Sequence, residues 1–294
     1  MSVQLTRLLA RILSWLPLRM NQTIGATLGL CVWALNGKLR RITDVNLDMC
    51  YPDMNEAQRR RLSRLSLMET GKQLTECAWI WHRPIAQTEQ LIIDINGEEL
   101  MLEARKSGKG CLFVSPHLGN WEVCSAPLSS DEPFTYFYRS PRNSRLDSEL
   151  IRWRAHLRGH PASLDAGGIR RGFKILKSGG NVGILPDQEP DQANGVFAPF
   201  FGKPALTMTL LSGLARRSGA TVLYCVAERL PRGKGWRLHI LPADEAVSSS
   251  DAEQAATALN SGVERCIALC PEQYLWSYKR FNTTHDGSPR PYAR

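Results

Sequence analysis

The chain has 294 residues, of which 43% are hydrophobic and 22% charged, a balance that is ordinary for one large or two small globular domains and that excludes general disorder. Lysine and arginine outnumber aspartate and glutamate by 37 to 28, and the resulting charge of +9 predicts an acidic partner such as nucleic acid, an anionic membrane surface or an acidic protein. The 8 cysteines include no Cys-x-x-Cys pair, which argues against a zinc site and indicates free thiols in a reducing compartment.

The N-terminus predicts an amphipathic, cationic helix. Apolar residues recur at helical spacing from Leu5 to Leu16, and Arg7, Arg11 and Arg19 are interspersed with them or follow them. Arginines and tryptophans at an apolar–polar boundary are typical of a helix that lies in the interface of an anionic membrane.

A second apolar segment, 23–35, is only 13 residues long, whereas about 20 are needed to cross a bilayer. We therefore expect residues 1–37 to form a membrane-associating helical segment in contact with anionic lipids, and residues 38–294 to form one α/β domain. The alternative is an N-terminal helical pair that simply packs on the domain, because a hydrophobic helix face usually faces a core.

Two predicted helices carry basic faces. The first, 56–81, contains four arginines within six positions, and the second, 146–158, contains three more. A solvated face is the commonest meaning of such a run, and a docking surface for an acidic carrier protein is the alternative. These arginines are Arg59, Arg60, Arg61 and Arg64 in the first helix, and Arg152, Arg154 and Arg158 in the second.

The most informative stretch begins with the uninterrupted apolar run Cys111–Val114, which is typical of a strand covered on both faces. Pro116 then removes a backbone donor, and Asn120 is a good N-cap for a following helix. His117 therefore follows the carboxyl end of a strand, where ligands gather in open α/β sheets.

Glu122, five positions after His117, falls on the first turn of that helix, where its carboxylate could hold the imidazole in one tautomer. A histidine held in this way is a general base. Gly119 allows close approach of a substrate, and Trp121 could line an apolar site. The alternative is that His117 and Glu122 are unrelated surface residues.

Ionisable residues follow three predicted strands. Besides His117, Arg139 follows a strand at 134–138 and Asp187 follows one at 182–185. In a parallel sheet these three side chains would converge on one edge. We expect a single mixed, largely parallel sheet flanked by helices, with strands at 221–227 and 236–241 as an antiparallel pair; the aromatic stretch 195–202 is expected to be a loop, and 207–217 a helix.

The whole pattern resembles the bacterial lipid A late acyltransferases, the lauroyl and myristoyl transferases of the lysophospholipid acyltransferase superfamily. The first motif of that superfamily, His followed after four residues by Asp or Glu, stands here as HLGNWE with His117 and Glu122. One departure is the N-terminus, since family members often carry a clearer transmembrane helix. The other stretches that resemble the family in order and spacing are NLDMCYP (46–52), YRSPRN (138–143), ILPDQ (184–188), FAPFFG (197–202) and YLWSYKRF (274–281).

The resemblance implies transfer of an acyl chain from acyl-acyl carrier protein to a hydroxyl of a phosphorylated lipid A precursor, at the cytoplasmic face of the inner membrane. It implies no cofactor, no acyl-enzyme and no nucleic-acid partner. In this scheme His117 deprotonates the hydroxyl and Glu122 orients the imidazole.

The resemblance also suggests roles for the remaining candidates. The backbone N–H groups of Gly119 and Asn120 would stabilise the oxyanion, and Arg139 either shares that task or binds a phosphate. Asp187 would hold Arg139 or the acceptor, with a structural ion pair as the alternative. Asn143 belongs to the same stretch as Arg139 and is a further candidate for substrate binding.

Three other functions remain open on sequence alone. The acceptor could be another lipid, such as a lysophospholipid or an amino-acid lipid. A thioesterase or lipase is disfavoured because the chain lacks a GxSxG motif. A non-catalytic, basic membrane-binding or nucleic-acid-binding protein would explain the charge without any chemistry.

Overall fold

The structure is a computed structural model, and it describes residues 3–128, 134–139, 144–157 and 159–293. The strands in these ranges are β1 (Ile92–Asn96), β2 (Cys111–Val114), β3 (Phe134–Tyr138), β4 (His160–Ser163), β5 (Asn181–Ile184), β6 (Gly195–Phe200), β7 (Lys203–Met208), β8 (Thr221–Arg229) and β9 (Trp236–Pro242). The α-helices are α1 (Val3–Trp15), α2 (Leu18–Ala34), α3 (Lys38–Cys50), α4 (Glu56–Ile80), α5 (Ile85–Glu89), α6 (Glu98–Lys106), α7 (Trp121–Leu128), α8 (Ser144–Arg154), α9 (Ala166–Lys177), α10 (Leu210–Ser218) and α11 (Ala252–Leu269).

Seven strands form one mixed sheet in the order β1-β9-β8-β2-β5-β3-β4, flanked by helices. The run from β8 to β4 is parallel throughout, and β9 is antiparallel to β8, which confirms the predicted α/β class and the predicted antiparallel pair. All four residues of β2 are buried, as expected for a central strand covered on both faces. Because β2, β5 and β3 are parallel neighbours, their carboxyl ends lie at one edge of the sheet.

The region 195–208 differs from its prediction. The expected aromatic loop and helix start are instead a separate antiparallel hairpin, in which Pro199 of β6 lies opposite Pro204 of β7. The turn between the strands is made by Phe201 and Gly202, both with positive φ, a geometry that matches the twist of a hairpin. The sequence did not predict these strands because each contains a proline, a residue that is largely confined to the edges and ends of sheets. The same reason explains the missed edge strand β4, which contains Pro161.

Helices α1 and α2 are packed with their polar and small residues inward. The buried residues of α2 are Leu18, Asn21, Gln22, Gly25 and Gly29. Gly25 and Gly29 lie against the backbone of α4 at Gly71 and Leu67, where a Cβ would collide with carbonyl oxygens. Such close glycine-mediated crossings bring two helix backbones together without using large apolar side chains.

The large apolar residues of this helical pair are consequently exposed. Trp15 has 78% of its surface accessible, and Leu8 has 56%. None of the described helices combines the length and apolar character that crossing a bilayer requires. The other exposed apolar residues of α1 and α2 are Leu5, Leu9, Ile12, Met20, Ile24, Leu28 and Leu30.

Candidate active site

The site is built on the loop between β2 and α7. The Ser115 N–H donates to the Ile184 carbonyl oxygen at 3.0 Å, which carries the β2–β5 ladder one residue past the strand. Gly119 then turns the chain with φ of +61°, and a Cβ there would collide with the Ala227 carbonyl oxygen of β8. Only glycine fits this close approach without strain, so the loop is clamped against the sheet and His117 is held at its edge.

The carboxylate that holds His117 is Asp187, at the end of β5. The His117 Nδ1 lies 2.8 Å from Asp187 Oδ1, and the His117 backbone N–H donates to Asp187 Oδ2 at 3.0 Å. The carboxylate is buried, whereas the imidazole is 16% exposed. Two bonds from one carboxylate to one residue fix both the position and the rotation of the ring.

The environment keeps Asp187 ionised. Burial alone would raise the pKa of Asp187, but attraction to the His117 ring when that ring is protonated, together with the hydrogen bonds from His117, outweighs burial and holds that pKa below its ordinary value. On the other side, burial and then the negative charge and hydrogen bonding of Asp187 raise the pKa of Tyr274 well above its usual range. The phenol of Tyr274, which is buried near Asp187, therefore stays protonated.

The second ring nitrogen of His117 is directed at Gln188. The Gln188 amide Nε2 lies 3.2 Å from His117 Nε2, and with the amide in this orientation the ring nitrogen is the acceptor. The proton of the neutral ring is accordingly on Nδ1, facing Asp187. Trp121 packs its ring against the imidazole with centroids 4.9 Å apart. His117 thus presents an unprotonated Nε2, which is what a general base requires.

Glu122 does not have the predicted contact with His117. Its carboxylate instead accepts hydrogen bonds from Arg154, at 3.0 Å and 3.1 Å from Nε and 2.5 Å from Nη2, and from Trp81 Nε1 at 3.1 Å. The physical reason is the direction of the first turn of α7, which points the side chain towards α4 and α8. Burial alone would lower the pKa of Arg154, but the charge and hydrogen bonds of Glu122 prevail and raise it.

The predicted oxyanion donors are also engaged elsewhere. The Gly119 N–H donates to the Gln273 carbonyl oxygen at 3.1 Å, and the Asn120 N–H donates to that of Ala227 at 2.9 Å. The Asn120 side chain is buried and donates to Glu76 Oε2 at 2.8 Å. These groups support the loop, and the expectation that they face a reacting oxygen is corrected.

Arg139 lies, as predicted, at the same edge as His117 and Asp187. Its side chain is 66% exposed, and its guanidinium lies 3.5 Å from Asp191, too far for a strong ion pair. The guanidinium is not held by Asp187, whose partner is His117. The predicted substrate-binding residue Asn143 lies outside the described residues.

A cavity of about 640 Å³ opens at this edge of the sheet and is lined by His117, Glu122, Gln188 and Arg139. Most of its remaining lining surface is apolar and includes the buried residues Phe113, Leu128, Phe134, Leu157 and Cys225. His117 thus lies where a polar rim meets an apolar interior, which is the usual composition of a site for a ligand with an apolar part.

The sequence matches the family model described as bacterial lipid A biosynthesis acyltransferase over residues 3–283. The chain belongs to that family. Similar proteins include the lipid A biosynthesis lauroyltransferase of Escherichia coli K12, 33% identical over 94% of this chain and 90% of the relative. The palmitoleoyltransferase of the same organism is 28% identical over 92% of this chain and 87% of its own length. Its myristoyltransferase is 25% identical over 95% and 86%.

As a member of the lipid A biosynthesis acyltransferases, the protein is an acyltransferase. Several residues of its site had no assigned role in the sequence reading: Gln188, Tyr274 and Trp81. The resembling stretches ILPDQ and YLWSYKRF contain the first two, so the motif boundaries pointed to them although their contacts could not be inferred. Arg154 was noted only as part of a basic face, and no local signal indicated that it is paired.

Proposed function

We propose that this acyltransferase moves a fatty acyl chain from acyl-acyl carrier protein to a hydroxyl of a lipid A precursor, the secondary acylation of lipid A. The observation that carries the proposal is the imidazole of His117, held by Asp187 through Nδ1 and open through Nε2 to a cavity with apolar walls. The family and the basic charge of the chain support anionic substrates.

In the proposed reaction the acceptor hydroxyl displaces the Gln188 amide from His117 Nε2. His117 takes the hydroxyl proton as the oxygen attacks the carbonyl carbon of the thioester, and a new C–O bond forms. Asp187 stabilises the imidazolium that results. General-base assistance of this kind contributes about 10²–10⁴-fold.

The tetrahedral intermediate carries a negative oxygen that needs a donor. The Gln188 amide, once displaced from the imidazole, is the nearest side-chain donor to His117 Nε2 among the described residues and is the proposed oxyanion group. One such donor is typically worth about 10²–10³ in kcat. The intermediate collapses with cleavage of the C–S bond, and the departing thiolate takes the proton from His117.

The remaining site residues either stabilise the cavity wall or bind the substrates. Glu122, Arg154 and Trp81 keep the cavity wall beside the imidazole in place rather than orient the ring. Arg139, exposed at the rim with only a weak partner, is available to a phosphate of the acceptor, and Asn143 stays a proposed neighbour in that role. The apolar walls accept the acyl chain.

The test is transfer by the purified protein, with acyl-acyl carrier protein as donor and separate assays for a lipid A precursor, a lysophospholipid and an amino-acid lipid as acceptors. We expect mass spectrometry to find one added acyl chain on the lipid A precursor alone. His117→Ala should lower kcat by about 10³-fold or more, because the base is removed. The matched control His160→Ala changes an exposed imidazole at the start of β4 and should leave kcat unaltered.

A failure of that test would have two forms. Acylation of another acceptor would move the enzyme to a different lipid pathway. Retention of cellular activity by a folded His117→Ala protein would favour a non-catalytic basic membrane protein instead.

We further propose that the exposed apolar face of α1 and α2 lies in the interface of the inner membrane, at its cytoplasmic side. Its large apolar residues point away from the domain, and Arg11 and Arg19 beside them are exposed and suit anionic headgroups. In flotation with vesicles containing anionic lipid, the pair of changes Leu8→Asp and Ile12→Asp should release the protein. The pair Leu102→Asp and Leu269→Asp, which alters exposed leucines elsewhere, should not.

A further inference from the structure

We propose that the basic surface formed by α9 and α10 is the docking site for the acidic carrier protein that delivers the acyl thioester. The inference rests on the proposed function and names the place at which the donor binds. The surface, called here the α9–α10 surface, consists of Arg170, Arg171, Lys174, Lys177, Arg216 and Arg217.

Helix α9 has two faces of opposite character. Ile169, Phe173 and Leu176, spaced by four and three residues, are half-buried or buried against the core. Arg170, Lys174 and Lys177 have the same spacing one position later and are exposed. The helix is therefore fixed by its apolar side and presents a row of cations to solvent.

Helix α10 continues the row. Arg216 and Arg217 lie in its last turn and are exposed, and the Arg217 guanidinium lies 5.9 Å from the ring centre of Phe173 on α9. The described structure shows no ion pair for any of the six cations of the α9–α10 surface. Their charge is thus available to a partner.

The sequence concentrates positive charge around this surface, and Asp165, the N-cap of α9, is the acid that attracts one of its cations, Arg171. Residues 166–186 and 192–227 contain seven lysines and arginines and no aspartate or glutamate. A field of one sign over a continuous surface attracts an oppositely charged protein and speeds its association.

The α9–α10 surface borders the mouth of the cavity. Ile169 of α9 and Leu210, Gly213 and Arg217 of α10 belong to the cavity lining that also includes His117. A carrier protein bound there would present its thioester at the opening that leads to the imidazole. No residue of α4 is among the described lining residues, so the basic face of α4 lacks this connection.

The two basic faces expected from the sequence are less suited to docking. Arg154 is committed to Glu122, and Arg152 lies 2.6 Å from Glu149. On α4, Arg59 is paired with Asp48 at 2.8 Å. Arg60, Arg61 and Arg64 of α4 are exposed and have no described ion pair. Arg60 lies 5.6 Å from the ring centre of Trp33, and the other two serve as the comparison below.

A protein suits the α9–α10 surface better than a bilayer does. Binding at a membrane interface combines cations with large exposed apolar side chains, as on α1 and α2. Between residues 165 and 268, within the part of the chain that the structure describes, no large hydrophobic side chain is exposed. Leu164, just before α9, is the nearest exposed large hydrophobic residue in the sequence. The predominance of charge on the α9–α10 surface therefore suits an acidic protein better than a bilayer.

The experiment compares two donors with the same acyl chain: acyl-acyl carrier protein and the neutral acyl-N-acetylcysteamine thioester. In the pair of changes Arg170→Glu and Lys174→Glu, we expect the ratio of the two kcat/KM values to fall by about tenfold or more, since reversed charge repels the acidic donor only. Reversal of the same number of charges at Arg61 and Arg64 should leave the ratio within about twofold of the wild-type value. The wild-type ratio should also fall as salt is raised.

Three outcomes would overturn the docking site. The first is an unchanged ratio of the two kcat/KM values in the protein with Arg170→Glu and Lys174→Glu. The second is an equal loss of kcat/KM with both donors in that protein, and the third is a larger fall of the ratio when the charges of Arg61 and Arg64 are reversed. Arg170→Gln with Lys174→Gln, which removes charge without reversing it, replaces the first pair if thermal unfolding shows that the first pair does not fold.

Direct binding separates this inference from the proposed function. The affinity of carrier protein for the wild type and the variants can be measured by fluorescence anisotropy without any turnover. Carrier binding that depends on Arg170 and Lys174 in a protein that transfers no acyl chain would contradict the proposed function and leave the docking site standing. Acyl transfer by the wild type, together with carrier binding that does not depend on these two residues, would support the proposed function and contradict the docking site.

Discussion

Two buried carboxylates near His117 have opposite arrangements: Glu122 lines the cavity, and Asp187 lies behind the imidazole. Asp187 faces a partner whose charge changes during the proposed reaction, His117, and the second ring nitrogen of that partner is open to the cavity. Glu122 faces Arg154, a permanent cation, and its oxygens are fully used by Arg154 and Trp81. A carboxylate paired with a titratable ring can support proton transfer, whereas one paired with arginine can only hold a structure together.

The comparison also shows that residues close in sequence need not be in contact, whereas residues at the ends of neighbouring strands can be. Glu122 is five residues from His117 and bonds elsewhere, while Asp187 is 70 residues away and contacts it. Because β2 and β5 are parallel neighbours, their carboxyl ends lie together. This topology, and not the spacing along the chain, places Asp187 beside His117.

The largest effect is expected from Asp187→Asn. The amide keeps the volume but cannot stabilise the imidazolium, and it can favour the wrong tautomer of His117. We expect kcat to fall by about 10³-fold with a much smaller change in KM, measured by steady-state acyl transfer.

Asp53→Asn is the control for this change, because Asp53 is an exposed aspartate outside the described cavity lining. It should leave kcat as in the wild type. If Asp187→Asn retained most of the wild-type kcat, the assignment of His117 and Asp187 as the working pair would be wrong.

The second effect concerns stability. Glu122→Ala leaves the largely buried guanidinium of Arg154 without its counter-ion, and we expect the free energy of unfolding to fall by about 3–5 kcal/mol. The double change Glu122→Ala with Arg154→Ala should be less damaging than the sum of the single changes, because no unpaired charge remains. Denaturant unfolding of the four proteins measures this coupling.

The opposite result would restore the role first expected for Glu122. A loss of kcat as large as that of Asp187→Asn, in a Glu122 variant with an unaltered free energy of unfolding, would mean that this carboxylate acts on the chemistry.

Much of the fold could be predicted from the sequence. Strands with short apolar runs, such as Cys111–Val114 and 134–138, were predicted with the observed bounds. The rule that ligands gather at carboxyl ends of parallel strands placed His117, Arg139 and Asp187 at one edge, as the structure does. These features depend on local periodicity and on general topology.

The partners of the site residues were not accessible in the same way. Glu122 is bonded to side chains 32 and 41 residues away, which come from α8 and from the residue after α4. The backbone donors of Gly119 and Asn120 are used by Gln273 and by β8. Both sets of partners depend on how elements distant in sequence pack together, and the spacing of residues along the chain does not predict them.

A third prediction tests whether the open side of His117 has its own donor. Gln188→Ala removes the amide that faces Nε2, and we expect kcat to fall by about 10²-fold with little change in the KM for the donor. Gln188→Glu is the sharper variant, because a carboxylate beside Nε2 stabilises the imidazolium. The acid limb of its pH–rate profile should move to higher pH. A Gln188→Ala enzyme with the wild-type kcat would exclude this amide as the oxyanion donor.

The smallest effect is expected at Tyr274, a buried phenol close to Asp187. Tyr274→Phe removes a hydroxyl near the carboxylate while the two bonds from His117 remain, so kcat should fall by only about 2–10-fold. Because burial and the charge of Asp187 raise the pKa of Tyr274 well above its usual range, the phenol stays protonated up to about pH 10. The ratio of wild-type to Tyr274→Phe kcat should therefore be constant from about pH 6 to about pH 10. A ratio that drops towards one across this range would mean that the phenol ionises there, and a protonated Tyr274 near Asp187 would have to be abandoned.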